Sequence, residues 1–327
     1  MHMTKKLQLI IACFAGLIII FFIGRTLVQN DVGEQTEDSY IKNTNGILHT
    51  VALDDILSGG PEENDISPLT NPQFISIEAG NTILSDTDLG VSFEYGGVKR
   101  FYPLRILGWH QVVNDTLADL HICVTYSPLT NSAAIFRSYV DGQQTFFTNS
   151  GKLWDSNIVL IDNKTRSEWS QIKAEAIVGP QSGEILEMLP TSMTTFGQWK
   201  TEHLDGEILE NPKDSLYDYT RDPNQAYYES DVLYFPTLKE DTRLSAKATI
   251  LGVKIGDSAK AYPIEAIEEK DSISDSINGT KITISHASDG VIHVATSSNN
   301  ETTEFPAMQI YWFAWVGAYP DTLLYTN

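Results

Sequence analysis

The fold is decided by two related stretches, Arg100-Phe101-Tyr102-Pro103-Leu104 and, 160 residues later, Lys260-Ala261-Tyr262-Pro263-Ile264. Each stretch follows a Leu-Gly-Val tripeptide and a glycine-containing turn, and each is followed by an aspartate, Asp115 or Asp275. We therefore expect the same order of elements twice: a hairpin, a Tyr-Pro step and a short helix that starts at the proline. Proline is tolerated at the first helical position because the N–H that it lacks has no partner within the helix there. The pattern predicts an α+β, mainly β fold made of two related modules that arose by internal duplication.

Further strand signals lie between the two stretches. Ala133 to Val140 and Gln143 to Thr148 flank Asp141-Gly142, a dipeptide typical of a type I′ hairpin turn. A long insert-like stretch, roughly 150–235, carries most of the turn-forming punctuation. We therefore predict a first β-rich module with a long insert at 53–245 and a second β-rich module at 246–327.

The N-terminus predicts a membrane anchor. Leu7 to Gly24 contains no charged residue, and a helix of this length rises about 27 Å, close to the thickness of the hydrocarbon core of a bilayer. Lys5 and Lys6 precede the span, which favours a cytoplasmic N-terminus and an extracytoplasmic C-terminal domain. We assign 1–29 to the cytoplasmic end and a single transmembrane helix; a cleaved signal peptide, or a lipoprotein signal ending at Cys13, remain alternatives.

The net charge of the outer domain limits the classes of partner that it can bind. The first 30 residues hold three basic residues and no acid, which leaves 19 basic against 43 acidic residues and a formal charge of −24 beyond them. Such a surface repels nucleic acid and attracts cations or basic proteins. Residues 30–52 are polar and predict a tether. Cys123 is the only cysteine beyond the predicted span, so no disulfide is expected in the domain, and no zinc-ligand spacing is present.

Many segments resemble the family named domain of unknown function 3179, from about residue 53 to 325. Relatives often carry cysteine, and some selenocysteine, where this chain has Ser127, and often Glu where it has Gln111. The resemblance thus implies redox or soft-metal chemistry that this chain departs from at the reacting atom. The matching segments are Ser58–Pro61, Arg100–Leu104, Trp109-His110, Val113–Asp115, Tyr126–Ala133, Ser150–Leu153, Ser156-Asn157, Asp162, Thr165, Ser167, Trp169–Gln171, Thr195, Trp199, Arg221-Asp222 and Tyr311–Trp315.

The departure limits the enzymatic interpretation. A serine hydroxyl forms no disulfide and is far more basic than a thiol, and Cys123 lies about 13 Å upstream on the same strand face, too far to substitute. A serine nucleophile requires a base, and nothing in the sequence places a histidine beside Ser127. The enzyme alternative, redox or metal-dependent, uses Ser127, His110 and Thr130 as catalytic candidates. No cofactor and no metal site are identified.

The leading functional prediction is a membrane-anchored extracytoplasmic module of the cell envelope that binds a small ligand, a cation or an envelope protein. Its site is expected where small polar residues meet aromatic ones. The predicted ligand-binding residues are Tyr126, Ser127, Asn131, Ser150, Trp154, Ser156, Asn157, Trp169 and Gln171.

Overall fold

The computed structural model describes residues 40–213, 215–270, 272–287, 290–298 and 301–326. The predicted membrane helix at 7–24, and the part of the predicted tether before residue 40, lie outside these ranges. Within them, no helix combines the length and the apolar character that crossing a bilayer requires. Contacts divide the chain after Lys42, and the unit Asn43–Asn327 is the one described below.

The prediction of a mainly β, α+β chain is confirmed, and its separate sheets have a β-propeller-like arrangement. The helices are short: α1 (Ile77–Gly80), α2 (Leu104–His110), α3 (Phe196–Glu202), α4 (Gln225–Tyr228), α5 (Ile264–Glu268) and α6 (Trp312–Ala318), with 3-10 turns at Leu53–Asp55 and Pro128–Thr130. The strands up to residue 144 are β1 (Lys42–Thr44), β2 (Ile47–His49), β3 (Ile56–Ser58), β4 (Leu69–Thr70), β5 (Phe74–Ser76), β6 (Leu89–Tyr95), β7 (Val98–Pro103), β8 (Val112–Leu117), β9 (Leu120–Ser127), β10 (Ser132–Arg137), β11 (Tyr139–Val140) and β12 (Gln143–Gln144). Those that follow are β13 (Phe147–Trp154), β14 (Asn157–Asp162), β15 (Glu168–Ser170), β16 (Glu175–Val178), β17 (Met188–Leu189), β18 (Ser192–Thr195), β19 (Glu207–Leu209), β20 (Thr249–Ile255), β21 (Ser258–Pro263), β22 (Ser272–Ile277), β23 (Thr280–His286), β24 (Ile292–Ser298), β25 (Glu301–Glu304), β26 (Met308–Tyr311) and β27 (Leu323–Leu324).

Two parts of the chain follow the same path. In the first unit (residues 89–127), the β6–β7 hairpin leads through α2 into the β8–β9 hairpin; in the second unit (residues 249–286), β20–β21 leads through α5 into β22–β23. The registers agree, since Val91 pairs with Tyr102 and Leu251 with Tyr262. The two prolines end β7 and β21 and lie one residue before the helices rather than inside them.

The correspondence continues where the sequence gives little sign of it. The strand–helix–strand segment β18–α3–β19 packs onto the first hairpin in the same way that β26–α6–β27 packs onto the second. β18 and β26 run antiparallel to β6 and β20, while β19 and β27 run parallel to β7 and β21. Each hairpin therefore lies at the centre of a sheet, in the order β18-β6-β7-β19-β5 or β26-β20-β21-β27.

The same buried contact joins hairpin to hairpin in both units. Tyr102 donates its hydroxyl hydrogen to Asp115 Oδ2 at 2.7 Å, and Tyr262 does so to Asp275 Oδ2 at 2.8 Å. A cation completes each contact at 2.6 Å, Arg100 Nη1 on Asp115 and Lys260 Nζ on Asp275. These aspartates are the ones that the sequence comparison matched.

A seven-stranded sheet, in the order β1-β2-β16-β15-β14-β13-β3, distinguishes the first unit from the second. It covers one face of the β17-β10-β9-β8-β4 sheet, where Cys123 and Phe136 join Phe147, Leu160 and Trp169 in one core. The opposite face packs in a separate core with α2. β2 lies inside the predicted tether, yet it pairs with β16 through His49 and Val178. After β19, α4 is the only helix or strand among the described residues of 210–248.

Candidate functional site

β9 presents its residues to two different cores. Side chains alternate along a strand, so Cys123 faces the seven-stranded sheet, while Ile122, Val124 and Tyr126 face α2. Both faces are buried, and the strand ends at Ser127. Tyr126 and Ser127, which were predicted to line one site, therefore lie on opposite faces of the strand, because neighbouring residues of a strand point to opposite sides.

The Ser127 cavity, a space of ≈ 220 Å³, lies on the face of the seven-stranded sheet. Its walls combine apolar side chains, Leu129 and Phe235 among them, with the polar groups of Ser127, Gln111 and Lys152. Lys152 and Tyr234 are exposed at its edge, whereas Ser127 is fully buried. A mostly apolar cavity with a few directed polar groups is typical of small-ligand sites.

Ser127 is held by the backbone around it. The Ser127 Oγ accepts a hydrogen bond from the Ile158 N–H at 3.2 Å, and Ser127 pairs with Ser132 on β10 in the β-ladder. Pro128 then turns the chain into a 3-10 turn that ends at Asn131, which has a left-handed φ of 46°. The serine is therefore fixed at the junction of β9, β14 and this turn.

A β-bulge shapes the neighbouring wall. The register of β13 against β14 shifts between Asn149 and Leu153, and Gly151 adopts a φ of +77° inside the shift. Asn149 donates to Gln111 Oε1 at 2.5 Å and accepts from the Gly151 N–H at 2.7 Å. The predicted Ser150 does not face the cavity, since its Oγ donates to Val159 O at 2.6 Å. The bulge replaces ladder hydrogen bonds with a polar wall.

Three other predicted residues form a buried polar network behind Ser127. Asn157 Nδ2 donates to Thr130 Oγ1 at 2.9 Å and to Gln171 Oε1 at 2.7 Å. Ser132 Oγ donates to Gln171 Oε1 at 2.8 Å, and Gln171 Nε2 donates to Thr125 Oγ1 at 2.9 Å. All five side chains are essentially inaccessible to solvent. Their arrangement ties β9, β10 and β14 to the segment that follows β15, and Thr130 does not line the Ser127 cavity.

His110 lies in a separate environment. Its Nδ1 contacts Ser67 O at 2.8 Å and its Nε2 contacts the Tyr219 hydroxyl at 2.6 Å. Burial lowers the pKa of His110, which favours the neutral ring. In the described part of the chain, no hydrogen bond joins His110 to Ser127. Both ring nitrogens of His110 therefore contact Ser67 or Tyr219 and not Ser127.

The predicted tryptophans and Ser156 lie in the seven-stranded sheet and not along the Ser127 cavity. Trp169 Nε1 donates to Asp162 Oδ2 at 3.0 Å, inside the core. Burial alone would raise the pKa of Asp162, but hydrogen bonds from Trp169 and Thr165 lower it overall. Trp154 is the last residue of β13, and Ser156 lies in the buried turn between β13 and β14. Across the described residues, no group of three or more His, Cys, Asp or Glu side chains suits a metal ion.

Sequence reasoning missed several lining residues. Asn224, Tyr234 and Phe235 reach the cavity from the long segment after β19, and Pro61 reaches it from the N-terminal side. The available signal was the length of that segment, since long connections without secondary structure are usually functional. Gln111 was noted only as a departure from the family pattern.

Comparison with known proteins supports the resemblance seen in the sequence. Residues 63–322 match the family described as "Protein of unknown function (DUF3179)". No curated protein and no solved structure shows significant similarity to the chain. The match covers most of the 327 residues and includes the whole Ser127 cavity except its Gly59 and Pro61 edge. The prediction from sequence is confirmed: this chain belongs to the DUF3179 family.

Proposed function

We propose that this protein is a membrane-anchored extracytoplasmic module of the cell envelope that binds a small ligand in the Ser127 cavity. The observation that carries the proposal is the cavity itself, placed where the end of β9 meets the bulge in β13. Its volume of ≈ 220 Å³ suits a compact small molecule rather than a peptide. Gln111, Lys152 and Asn224 supply hydrogen-bonding groups around an apolar floor.

The anchoring part of the proposal rests on composition. Leu7 to Gly24 is long and apolar enough to span a bilayer as a helix, and the charge pattern directs the following domain outward. Protease added to intact cells is expected to digest the domain and leave a short membrane-bound fragment. Digestion only after lysis would contradict the orientation, and recovery of a soluble form that begins near residue 30 would contradict the anchor.

We further propose that the two units arose by duplication, with the seven-stranded sheet added to the first. The shared register, the shared Tyr–Asp–cation contact and the shared strand–helix–strand segment support this history. The ligand site then accompanies the first unit alone, since it also depends on β13 and β14 of the added seven-stranded sheet. The position equivalent to Ser127 is Ala287, just beyond β23.

Ligand binding is tested by filling the cavity. Full-length protein is purified rapidly from membranes, and the small molecules released on denaturation are identified by mass spectrometry. Wild type and the surface control Ser297→Leu are expected to release the same compound, which Ser127→Leu should lack. Identical profiles from all three proteins, or no compound from any, would contradict binding at this cavity.

A further inference from the structure

A second cavity lies on the opposite face of β9, lined by Tyr126 instead of Ser127. This Tyr126 cavity has a volume of ≈ 420 Å³ and is polar, with carboxylates, hydroxyls and two amides in its walls. Three tyrosines reach it from three separate parts of the chain: Tyr126 from β9, Tyr228 from α4 and Tyr311 from β26. It is therefore a built cavity that requires the first unit, β26 and the segment after β19.

The charges around this cavity do not balance. Arg105 Nη1 pairs with Asp88 Oδ2 at 3.0 Å, so these two neutralise each other. Asp222 has no cationic partner: its Oδ1 accepts the Asn224 N–H at 2.8 Å, the Asn224 side chain also interacts with it, and in the described part of the chain it forms no ion pair. Burial raises the pKa of Asp222. A partly desolvated carboxylate is costly unless a cation approaches it, so the cavity favours a positively charged occupant.

The tyrosines add a second preference. The Tyr126 and Tyr228 hydroxyls lie 3.0 Å apart, and Tyr126 also donates to Asn131 Oδ1 at 3.0 Å. Aromatic rings attract ammonium groups through their π faces, and phenol oxygens accept hydrogen bonds from N–H donors. One unpaired carboxylate beside several tyrosines therefore matches the chemistry of an organic ammonium.

We propose that the Tyr126 cavity binds a small soluble organic cation of the ammonium class, with Asp222 as its counter-ion. A bare divalent cation fits less well, because calcium takes about six to eight oxygen ligands and usually several carboxylates. An uncharged polyol would leave Asp222 unpaired. The site is separate from the Ser127 cavity, so either proposal stands without the other.

The charge requirement is tested by calorimetric titration of the full-length protein in a maltoside detergent at neutral pH. The probes are choline and its uncharged isostere 3,3-dimethyl-1-butanol. Choline is expected to bind at least about tenfold more tightly, a difference of about 1.4 kcal/mol. Equal affinity of the two probes, or no heat from choline at millimolar concentrations, would overturn the proposal.

The counter-ion is tested with matched variants. Asp222→Asn keeps an oxygen for the Asn224 N–H and is expected to weaken choline binding by about tenfold or more. Asp218→Asn removes the same charge from an exposed neighbour outside the cavity and is expected to bind as wild type does. Unchanged binding by Asp222→Asn, or an equal loss in Asp218→Asn, would refute the assignment. The comparison of the two probes on wild type decides the question even if Asp222→Asn fails to fold.

Discussion

The first and second units share the order of their elements and the register of their strands, but they differ in how much of each sheet is buried. All residues of β9 except His121 are buried, whereas β23 alternates between buried residues and more exposed ones. The difference comes from the seven-stranded sheet, which covers the outer face of the first unit and, among the described residues, has no counterpart on the second. The same hairpin–helix–hairpin unit thus serves as a half-solvated sheet in one place and as a fully buried sheet in the other.

The enclosed unit is also the one that carries the candidate site. Covering β9 on a second side brought Ser127, the bulge in β13 and the buried network around Gln171 together. The uncovered unit keeps only the Tyr–Asp–cation contact. Enclosure, rather than the repeated unit itself, therefore forms the proposed site, and the predictions below probe that difference.

The largest effect is expected from removing the shared aspartate in the enclosed unit. Asp115→Ala leaves Arg100 and Tyr102 without their buried acceptor, and breaking such a pair costs about 3–5 kcal/mol. Asp275→Ala is expected to cost about 1–2 kcal/mol, because water reaches its site more readily; the Asp275 side chain is 19% exposed against 5% for Asp115. Denaturant unfolding followed by fluorescence measures both. An equal or reversed order would contradict the role of enclosure.

The next effect concerns the contact between the seven-stranded sheet and α6. Asp155 lies against Gly317 of that helix, and burial raises its pKa to about 6, with Asp55 adding repulsion. Because the pKa is higher in the folded state, the stability linked to this proton is present below pH 4 and lost as pH rises through about 6. Relative to wild type, Asp155→Asn should gain about 2–3 kcal/mol in unfolding free energy between pH 4 and pH 7. A pH-independent difference between the two proteins would be inconsistent with a buried ionising group.

A smaller loss is expected from the buried polar network that joins the end of β9 to the seven-stranded sheet. Gln171→Met removes the acceptor of Asn157 and Ser132 and the donor to Thr125, and leaving such groups unpaired costs about 1–3 kcal/mol. The control Gln143→Met changes an exposed position on β12. Its unfolding free energy should stay within about 0.5 kcal/mol of wild type. Similar stability of the two variants would show that the network contributes little.

The smallest difference separates two glycines with left-handed backbone. In Gly151→Ala the new Cβ would lie 2.3 Å from Pro61 O, whereas in Gly142→Ala it meets nothing within 4 Å. Both substitutions carry the left-handed penalty of about 1–2 kcal/mol, and Gly151→Ala should add about 1 kcal/mol for displacing the Pro61 segment. The two variants are compared by their denaturant unfolding midpoints, provided that the dependence of the unfolding free energy on denaturant concentration is the same in both. Equal midpoints would mean that the wall of the Ser127 cavity is not tightly packed.

Sequence reasoning reached the parts of the fold that depend on local signals. The Tyr-Pro step and the following aspartate identified both units, and Asp141-Gly142 identified a turn that has φ angles of 51° and 66°. It missed the strand–helix–strand segments, because Phe196–Trp199 and Trp312–Trp315 share only aromatic residues at matching positions. Pairing across a long insert leaves no mark in a short window of sequence.

The candidate site was reached only in part, for a related reason. Ser127 was identified from the family pattern, but Asn157 and Gln171 are buried behind it and Trp169 lies in the core. Polar residues that satisfy one another in a buried network have the same composition as residues that line a cavity. Only the direction of each side chain separates the two cases, and that direction depends on a β-bulge that one sequence does not reveal.

The most direct test of the Ser127 cavity is its accessibility to a small reagent. Ser127→Cys places a thiol on the wall of the cavity, whereas Cys123, on the same strand face, does not line it, and burial raises the pKa of the Cys123 thiol. A small maleimide is expected to label folded Ser127→Cys and to leave folded wild type and the network variant Ser132→Cys unlabelled. An unreactive thiol at position 127 in the folded protein, with labelling only after denaturation, would contradict an open ligand site there.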